Sequence, residues 1–180
     1  MNTLDAICSR KSVRSYTGEQ ISDEDLQKIL LAANAAPIAM GSYGDVHLTV
    51  ITDQEMLAKI DAAGAALFGK PDLHPLYGAP TFVLISAKVA EDTPQPAANV
   101  AFSNAAIVAE NMALEAVELG IGTCHIWGAI RGVNTNPDLV AELGLPEGFM
   151  PCCGVILGKT EETYEVREVP ADRISQNVIA

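Results

Sequence analysis

Arg10-Lys11-Ser12-Val13-Arg14-Ser15-Tyr16 is the most basic stretch of a strongly acidic chain. The 180 residues include 11 basic and 23 acidic side chains, and three of those 11 fall within this stretch. Arginine guanidinium groups match phosphate oxygens in pairs, and a serine hydroxyl can complete an anion site. In an extended backbone Arg10, Ser12 and Arg14 share one face, whereas Lys11 and Val13 point away. The stretch predicts a site for a small anionic ligand, and a solvated basic turn is the alternative.

The overall composition excludes several classes of partner. The formal net charge is −12, and 49% of the residues are hydrophobic. A general nucleic-acid binder or an anionic-membrane binder needs a broad positive field, which this chain lacks. We therefore expect no nucleic acid and no membrane as partners. The four cysteines and the lack of an apolar leader before Arg10 favour free thiols and a cytoplasmic location.

Length and hydrophobic periodicity predict one domain over residues 1–180, with an extended C-terminal arm from about 164 to 180. The Ser22-Asp23-Glu24-Asp25 pattern resembles a capping box and begins a helix that Pro37 closes. Strands and helices alternate irregularly, which favours an α+β fold. Strands are predicted over 46–52, 81–87, 122–127 and 151–158, and further helices over 2–9, from 53, over 99–119 and from 136 to 144.

The helix over 99–119 is apolar around most of its circumference. A helix of this kind is usually buried on most sides. One domain of this length rarely encloses a helix completely, so the pattern also favours a subunit interface as a second cover.

Three other motifs resemble a P-loop, a dinucleotide-binding fingerprint and a zinc site, but each lacks a residue or a spacing that such a site requires. The segment 64–70 has the glycine and lysine spacing of a P-loop, but Pro71 stands where a hydroxyl residue is needed, so a helix ending on glycine is favoured. His125 stands where a dinucleotide fingerprint requires its third glycine. The spacing of His125 and the cysteines fits no common zinc pattern, so we expect core packing and no metal.

Further motifs follow the basic stretch in a specific order. They are Ala35-Ala36-Pro37, Ala109-Glu110-Asn111-Met112, Leu119-Gly120-Ile121-Gly122-Thr123-Cys124, Leu143-Gly144-Leu145-Pro146-Glu147-Gly148 and Val155-Ile156-Leu157-Gly158. Together with Arg10–Tyr16, this series resembles the nitroreductase family of FMN-dependent oxidoreductases over nearly the whole chain.

The resemblance implies an α+β fold with a central, mostly antiparallel sheet flanked by helices, in an intertwined homodimer with FMN at the subunit interface. It implies an enzyme that takes electrons from NADH or NADPH and passes them to a small-molecule acceptor. The acceptor would be a nitroaromatic, a quinone or a similar flat electrophile, reduced in a ping-pong mechanism. The flavin would carry the chemistry, with no catalytic side chain. The alternative is a non-catalytic flavin-binding or carrier protein on the same fold.

The resemblance also implies positions for the cofactor-binding residues. Arg10 and Ser12 would hold the phosphate and ribityl chain, with Lys11 in the same stretch. Arg14 would reach the N1/O2 edge of the flavin. The backbone N–H groups of Trp127 and Gly128 would face N5, and Ile126 beside them is a further cofactor-binding residue. Pro37, Ile38 and Met40 would lie against the flavin from the other subunit. Arg167, or Lys159 in its place, would contact the phosphate.

This chain departs from the family pattern at two places. The segment 38–44 lacks the family's usual serine, asparagine and glutamine, which makes that side of the pocket more apolar and puts the usual substrate recognition in doubt. Glu110 stands where many members have glutamine.

Overall fold

The computed structural model describes residues 1–89 and 95–179. Six α-helices, two short 3-10 helices (Ala39–Gly41 and Tyr43–Asp45) and four strands are found in that part of the chain. The α-helices are α1 (Thr3–Ser9), α2 (Asp23–Asn34), α3 (Gln54–Leu67), α4 (Gln95–Glu118), α5 (Gly128–Asn134) and α6 (Pro137–Glu142). The strands are β1 (Val46–Ile51), β2 (Thr81–Lys88), β3 (Gly122–Ile126) and β4 (Phe149–Gly158).

Side-chain caps explain where several of the helices begin. The Ser22 side chain accepts a hydrogen bond from the backbone N–H of Asp25, as the capping pattern predicts. Asp53 caps α3 in the same way, and Asn136 caps α6 ahead of a proline in its first turn. Each cap satisfies a backbone donor that the first helical turn leaves unpaired.

The four strands form one antiparallel sheet in the order β1-β2-β4-β3. Side chains of β2 alternate between its two faces. Val83 and Ile85 pack on the side of α2 and α4, whereas Phe82 and Leu84 pack on the side of α3, α5 and α6. The sheet is therefore buried between two helical layers, which confirms the expected α+β class.

Several predicted boundaries were wrong. The predicted strand 122–127 ends at Ile126, because Trp127 has helical backbone angles and precedes α5. Helix α5 was not predicted from the sequence. The strand predicted from 151 begins at Phe149, and α2 ends at Asn34 rather than at Pro37. Between 159 and 179 the chain forms no helix or strand, and Ala180, the last residue of the predicted arm, lies outside the described residues.

Helix α4 is the central helix of one face. Ala105, Ala109, Met112 and Ala116 are fully buried against the sheet and α2. Its segment Ala98–Glu118 is long and apolar enough, by length and composition alone, to cross a membrane. Half of that apolar window is buried within the protein, as in a core helix.

Candidate functional site

The basic stretch leaves α1 and lies beside β3. The backbone N–H of Val13 donates to the carbonyl oxygen of Thr123 at 2.9 Å, and the Val13 side chain is fully buried. Arg10 and Ser12 are half-buried, and Arg14 is exposed. The burial of Val13 thus agrees with the predicted alternation, which keeps Arg10, Ser12 and Arg14 off the core side.

A cavity of about 380 Å³ opens where the basic stretch meets the end of β3. Four of its lining residues are predicted site residues: Arg14, Ile126, Trp127 and Gly128. Its remaining walls come from the segment between α3 and β2, and from β3 and α5. These residues are Phe68, Lys70, Leu73, Pro75, Tyr77, Cys124, His125 and Ala129.

Arg14 is held at the cavity by Tyr77. Its guanidinium carbon lies 5.6 Å from the centre of the Tyr77 ring, within the range of a cation–π contact. A hydrogen bond to Tyr77 and the neighbouring Cys124 raise the pKa of Arg14 above its ordinary value, so the side chain stays cationic. Tyr77 itself has a left-handed backbone, with φ of 52°. Backbone strain of this kind in a bulky residue often accompanies a functional site.

Glu110 brings the basic stretch and the cavity wall together. One carboxylate oxygen lies 3.3 Å from Arg10 Nε, and the other lies 3.4 Å from Nε2 of His125. Burial lowers the pKa of His125, and the charge of Glu110 opposes that shift. Glu110 projects from the middle of α4, so a core helix fixes the spacing between Arg10 and His125.

The remaining basic residues of the prediction have other partners. Lys11 Nζ pairs with Glu162 at 2.8 Å, and Lys159 Nζ pairs with Glu19 at 2.9 Å on the outer surface. The guanidinium of Arg167 contacts the backbone of the basic stretch itself, through the carbonyl oxygen of Arg10. Of the two alternatives for a C-terminal phosphate contact, the structure brings Arg167 to Arg10 and leaves Lys159 on the ion pair with Glu19.

Pro37, Ile38 and Met40 do not line the cavity of their own chain. Ile38 is buried, whereas Pro37 is exposed and Met40 is 97% exposed with φ of 55°. The backbone N–H of Ala39 donates to Asn104 on α4 at 3.1 Å, which ties this segment to the central helix. The segment presents an apolar side chain to the outside of the subunit.

Sequence reasoning missed the other eight lining residues of the cavity, among them the polar or basic side chains of Lys70, Tyr77 and His125. His125 was assigned to core packing, yet it is only half-buried and lines the cavity. Lys70 follows Gly69, whose positive φ of 61° ends α3 as the helix-end interpretation requires. A lysine just after that turn in a chain this acidic was the available signal for Lys70.

The fold and the cavity together define a class of protein, one with an antiparallel α+β core and a cationic, aromatic-walled site beside its third strand. A family model described as the nitroreductase family matches residues 7–159. The chain belongs to the nitroreductase family.

Individual proteins show the same relationship. A protein of Archaeoglobus fulgidus named NADH dehydrogenase/NAD(P)H nitroreductase is 32% identical over 166 residues, which cover 92% of this chain and 89% of that protein. The crystal structure of a nitroreductase with bound FMN from Desulfitobacterium hafniense is 25% identical, with a TM-score of 0.82 and coverage of 99% and 100% of the two chains. A second FMN-bound nitroreductase, from Bacteroides fragilis, is 27% identical with a TM-score of 0.79 at the same coverage.

These findings confirm the family and the fold class expected from the sequence. They also confirm the expected kind of enzyme, an NAD(P)H-dependent FMN oxidoreductase. The roles of individual site residues stay predictions.

Proposed function

We propose that this protein binds FMN in the Arg14 cavity of a homodimer and uses NADH or NADPH to reduce flat electrophilic acceptors such as nitroaromatics and quinones. Donor and acceptor would enter the same site in turn. The observation that carries the proposal is the cavity itself, where a cation fixed by Tyr77 faces an aromatic wall.

The residues at the cavity fit the proposed cofactor. Arg14 and Lys70 form no ion pair with a carboxylate within the part of the chain that the structure describes. Unpaired cations in a chain of net charge −12 suit an anionic ligand. Trp127 and Tyr77 offer flat apolar surface to a ring system. When bound, FMN supplies the electron-transfer chemistry that no side chain of the protein can supply.

Each part of the basic stretch has a proposed task. Arg10 and Ser12 bind the phosphate and ribityl chain, with Lys11 beside them. Arg14, cationic at every physiological pH, stabilises negative charge at the pyrimidine edge. The backbone N–H groups of Trp127 and Gly128 would face N5 of the bound flavin, and the buried Ile126 would support that wall of the cavity.

The second subunit completes the proposed site. Val100 and Ile107 on α4, and Leu4 and Ile7 on α1, leave large apolar side chains exposed in one chain. A partner subunit that covers this surface removes it from water, at about 25 cal/mol per Å² of apolar area. Pro37, Met40 and the backbone of Ile38, whose side chain is buried in its own subunit, would then contact the flavin of the other subunit. The apolar character of this segment favours acceptors without strong polar recognition.

The proposal also includes the cellular location and the domain organisation that the sequence predicts. We infer a cytoplasmic enzyme of one domain, with residues from about 164 onwards as an arm. The four free cysteines support a reducing compartment.

The test is the visible spectrum of the protein during an anaerobic titration. We expect wild-type protein to bind FMN, to lose the blue absorbance when NADH or NADPH is added, and to regain it when a quinone or nitroaromatic follows. The Arg10→Ala/Arg14→Ala variant should lose FMN binding by at least about tenfold, since both charged contacts are removed. Lys28→Ala/Lys59→Ala removes the same charge from surface ion pairs of residues that do not line the cavity and is the matched control.

The outcomes separate the candidate functions. Binding of FMN without bleaching by either nicotinamide would indicate a flavin carrier rather than an enzyme. A wild-type protein that takes up no added FMN would overturn the proposal altogether.

A further inference from the structure

Residues 160–167, here called the strap, run antiparallel alongside residues 8–15. Thr160 Oγ1 donates to the carbonyl oxygen of Ser15 at 2.8 Å. The next contact is the ion pair between Glu162 and Lys11. The strap ends at Arg167, opposite the carboxyl end of α1. The strap therefore contacts both ends of the basic stretch.

Arg167 binds the backbone at three points. Its Nε donates to the carbonyl oxygen of Cys8 at 2.8 Å, and its Nη2 donates to the carbonyl oxygen of Arg10 at 2.6 Å. Its backbone N–H also donates to Cys8, at 3.3 Å. Cys8 lies in the last turn of α1, where helix carbonyls have no partner within the helix, so Arg167 caps that helix.

These contacts give Arg167 a different task from the one that the family resemblance implies. Two of its guanidinium nitrogens already hold carbonyl oxygens, and the planar fork spans Cys8 and Arg10 as a flexible ammonium cannot. Glu162 similarly engages the Lys11 side chain, and it also accepts a hydrogen bond from the backbone of Arg14. The bond pattern fixes the backbone that carries the anion-binding side chains.

We propose that Arg167 is a positioning residue, which acts through the backbone of Cys8 and Arg10 to hold the basic stretch in its binding conformation. This inference rests on the proposed function, since it concerns the same flavin site. It predicts that the geometry of the Arg167 side chain matters more than its charge.

The experiment compares Arg167→Lys with Arg167→Gln, using Arg173→Lys and Arg173→Gln as matched controls in the same exposed arm. Two quantities are measured: hydrogen–deuterium exchange of backbone amides 8–15 in flavin-free protein, and the dissociation constants of FMN and of riboflavin, which lacks the phosphate. We expect both Arg167 variants to exchange faster over 8–15. Both should bind FMN about tenfold more weakly and should also bind riboflavin more weakly, because Ser12 and Arg14 are displaced with the backbone.

A direct phosphate contact gives the opposite pattern. In that case Arg167→Lys keeps most of the FMN affinity, riboflavin binding does not change and amides 8–15 exchange at the wild-type rate, and the positioning role is overturned. Unchanged exchange and unchanged binding in both variants would overturn it too. If wild-type protein binds no flavin, the proposed function fails, but exchange in the flavin-free variants still decides whether Arg167 holds the stretch. Circular dichroism checks that each variant is folded.

Discussion

At the scale of single residues, the surroundings of His125 shift its pKa and make the stability of the protein depend on pH. Burial lowers the pKa of its imidazole, and Glu110, at 3.4 Å, only partly opposes that effect. In the unfolded chain a histidine has a pKa near 6.5, above that of His125 in the folded protein. As the pH falls through about 6.5, the unfolded state therefore binds a proton that the folded state does not yet bind. His125 therefore costs stability at acidic pH and costs none above about pH 7.5.

We predict that His125→Gln flattens this part of the stability profile. Between pH 7.5 and 5.5 the wild-type free energy of unfolding should fall more steeply than that of the variant, by no more than ~1.4 kcal/mol per pH unit for one proton. Urea unfolding at a series of pH values measures the difference. From pH 7.5 to 8.5 the two curves should stay parallel, which is the internal control, whereas parallel curves down to pH 5.5 would contradict the prediction.

The contact between α3 and α5 is the element pair that places the cavity wall, because α5 begins at Gly128, directly after Trp127. Gly132 allows the two helices to approach closely. A Cβ atom on Gly132 would overlap the backbone carbonyl of Ala63 and would lie 2.8 Å from the backbone nitrogen of Gly64. Backbone atoms in the middle of a helix cannot move aside as the end of a flexible side chain can.

We predict that Gly132→Ala destabilises the protein by about 2 kcal/mol, because overpacking outweighs the ~1 kcal/mol by which alanine favours a helix. Gly44→Ala is the control, since its Cβ would meet no atom within 4 Å and its backbone is not left-handed. Its effect should stay within about 0.5 kcal/mol. Denaturant unfolding of both variants provides the comparison, and equal stability of the two would show that α5 can move away from α3.

The same elements show what the sequence could predict. Strand β2 and helix α4 were found because each has a strong apolar pattern, and α2 because its cap residues are explicit. Helix α5 was missed because it spans only seven residues and contains Gly128 and Gly132, which disfavour helices in isolation. Only the packing against α3 and the sheet explains why it forms.

In the candidate site, too, the residues that form one continuous stretch were predicted, and those from separate segments were not. The basic stretch is contiguous in sequence, so composition alone predicted it. Lys70, Tyr77 and His125 come from separate segments that only tertiary packing joins, and no local pattern signals the left-handed backbone of Tyr77. Glu110 and Arg167 both contact Arg10, although they lie 100 and 157 residues away from it in the sequence. No sequence spacing predicts contacts at such separations.

At the scale of the whole molecule, the apolar surface and the charge point to one arrangement. A net charge of −12 keeps subunits apart unless a specific apolar contact outweighs the repulsion. Ile107 on α4 offers such a contact, since it is 39% exposed on a helix whose other side packs into the core. Because Met40 lies outside the cavity of its own chain, dimerisation and flavin binding should depend on each other.

We predict that Ile107→Glu both dissociates the proposed dimer and weakens FMN binding. A carboxylate at the interface would be desolvated against apolar neighbours and would add a negative charge to each acidic subunit. Light scattering should give twice 19.0 kDa for the wild type and 19.0 kDa for the variant. Val50→Glu makes the same change at an equally exposed position, 38%, on edge strand β1, and should remain a flavin-binding dimer. A monomeric Ile107→Glu variant with wild-type FMN affinity would place the whole flavin site within one subunit, and a dimeric variant would place the interface elsewhere.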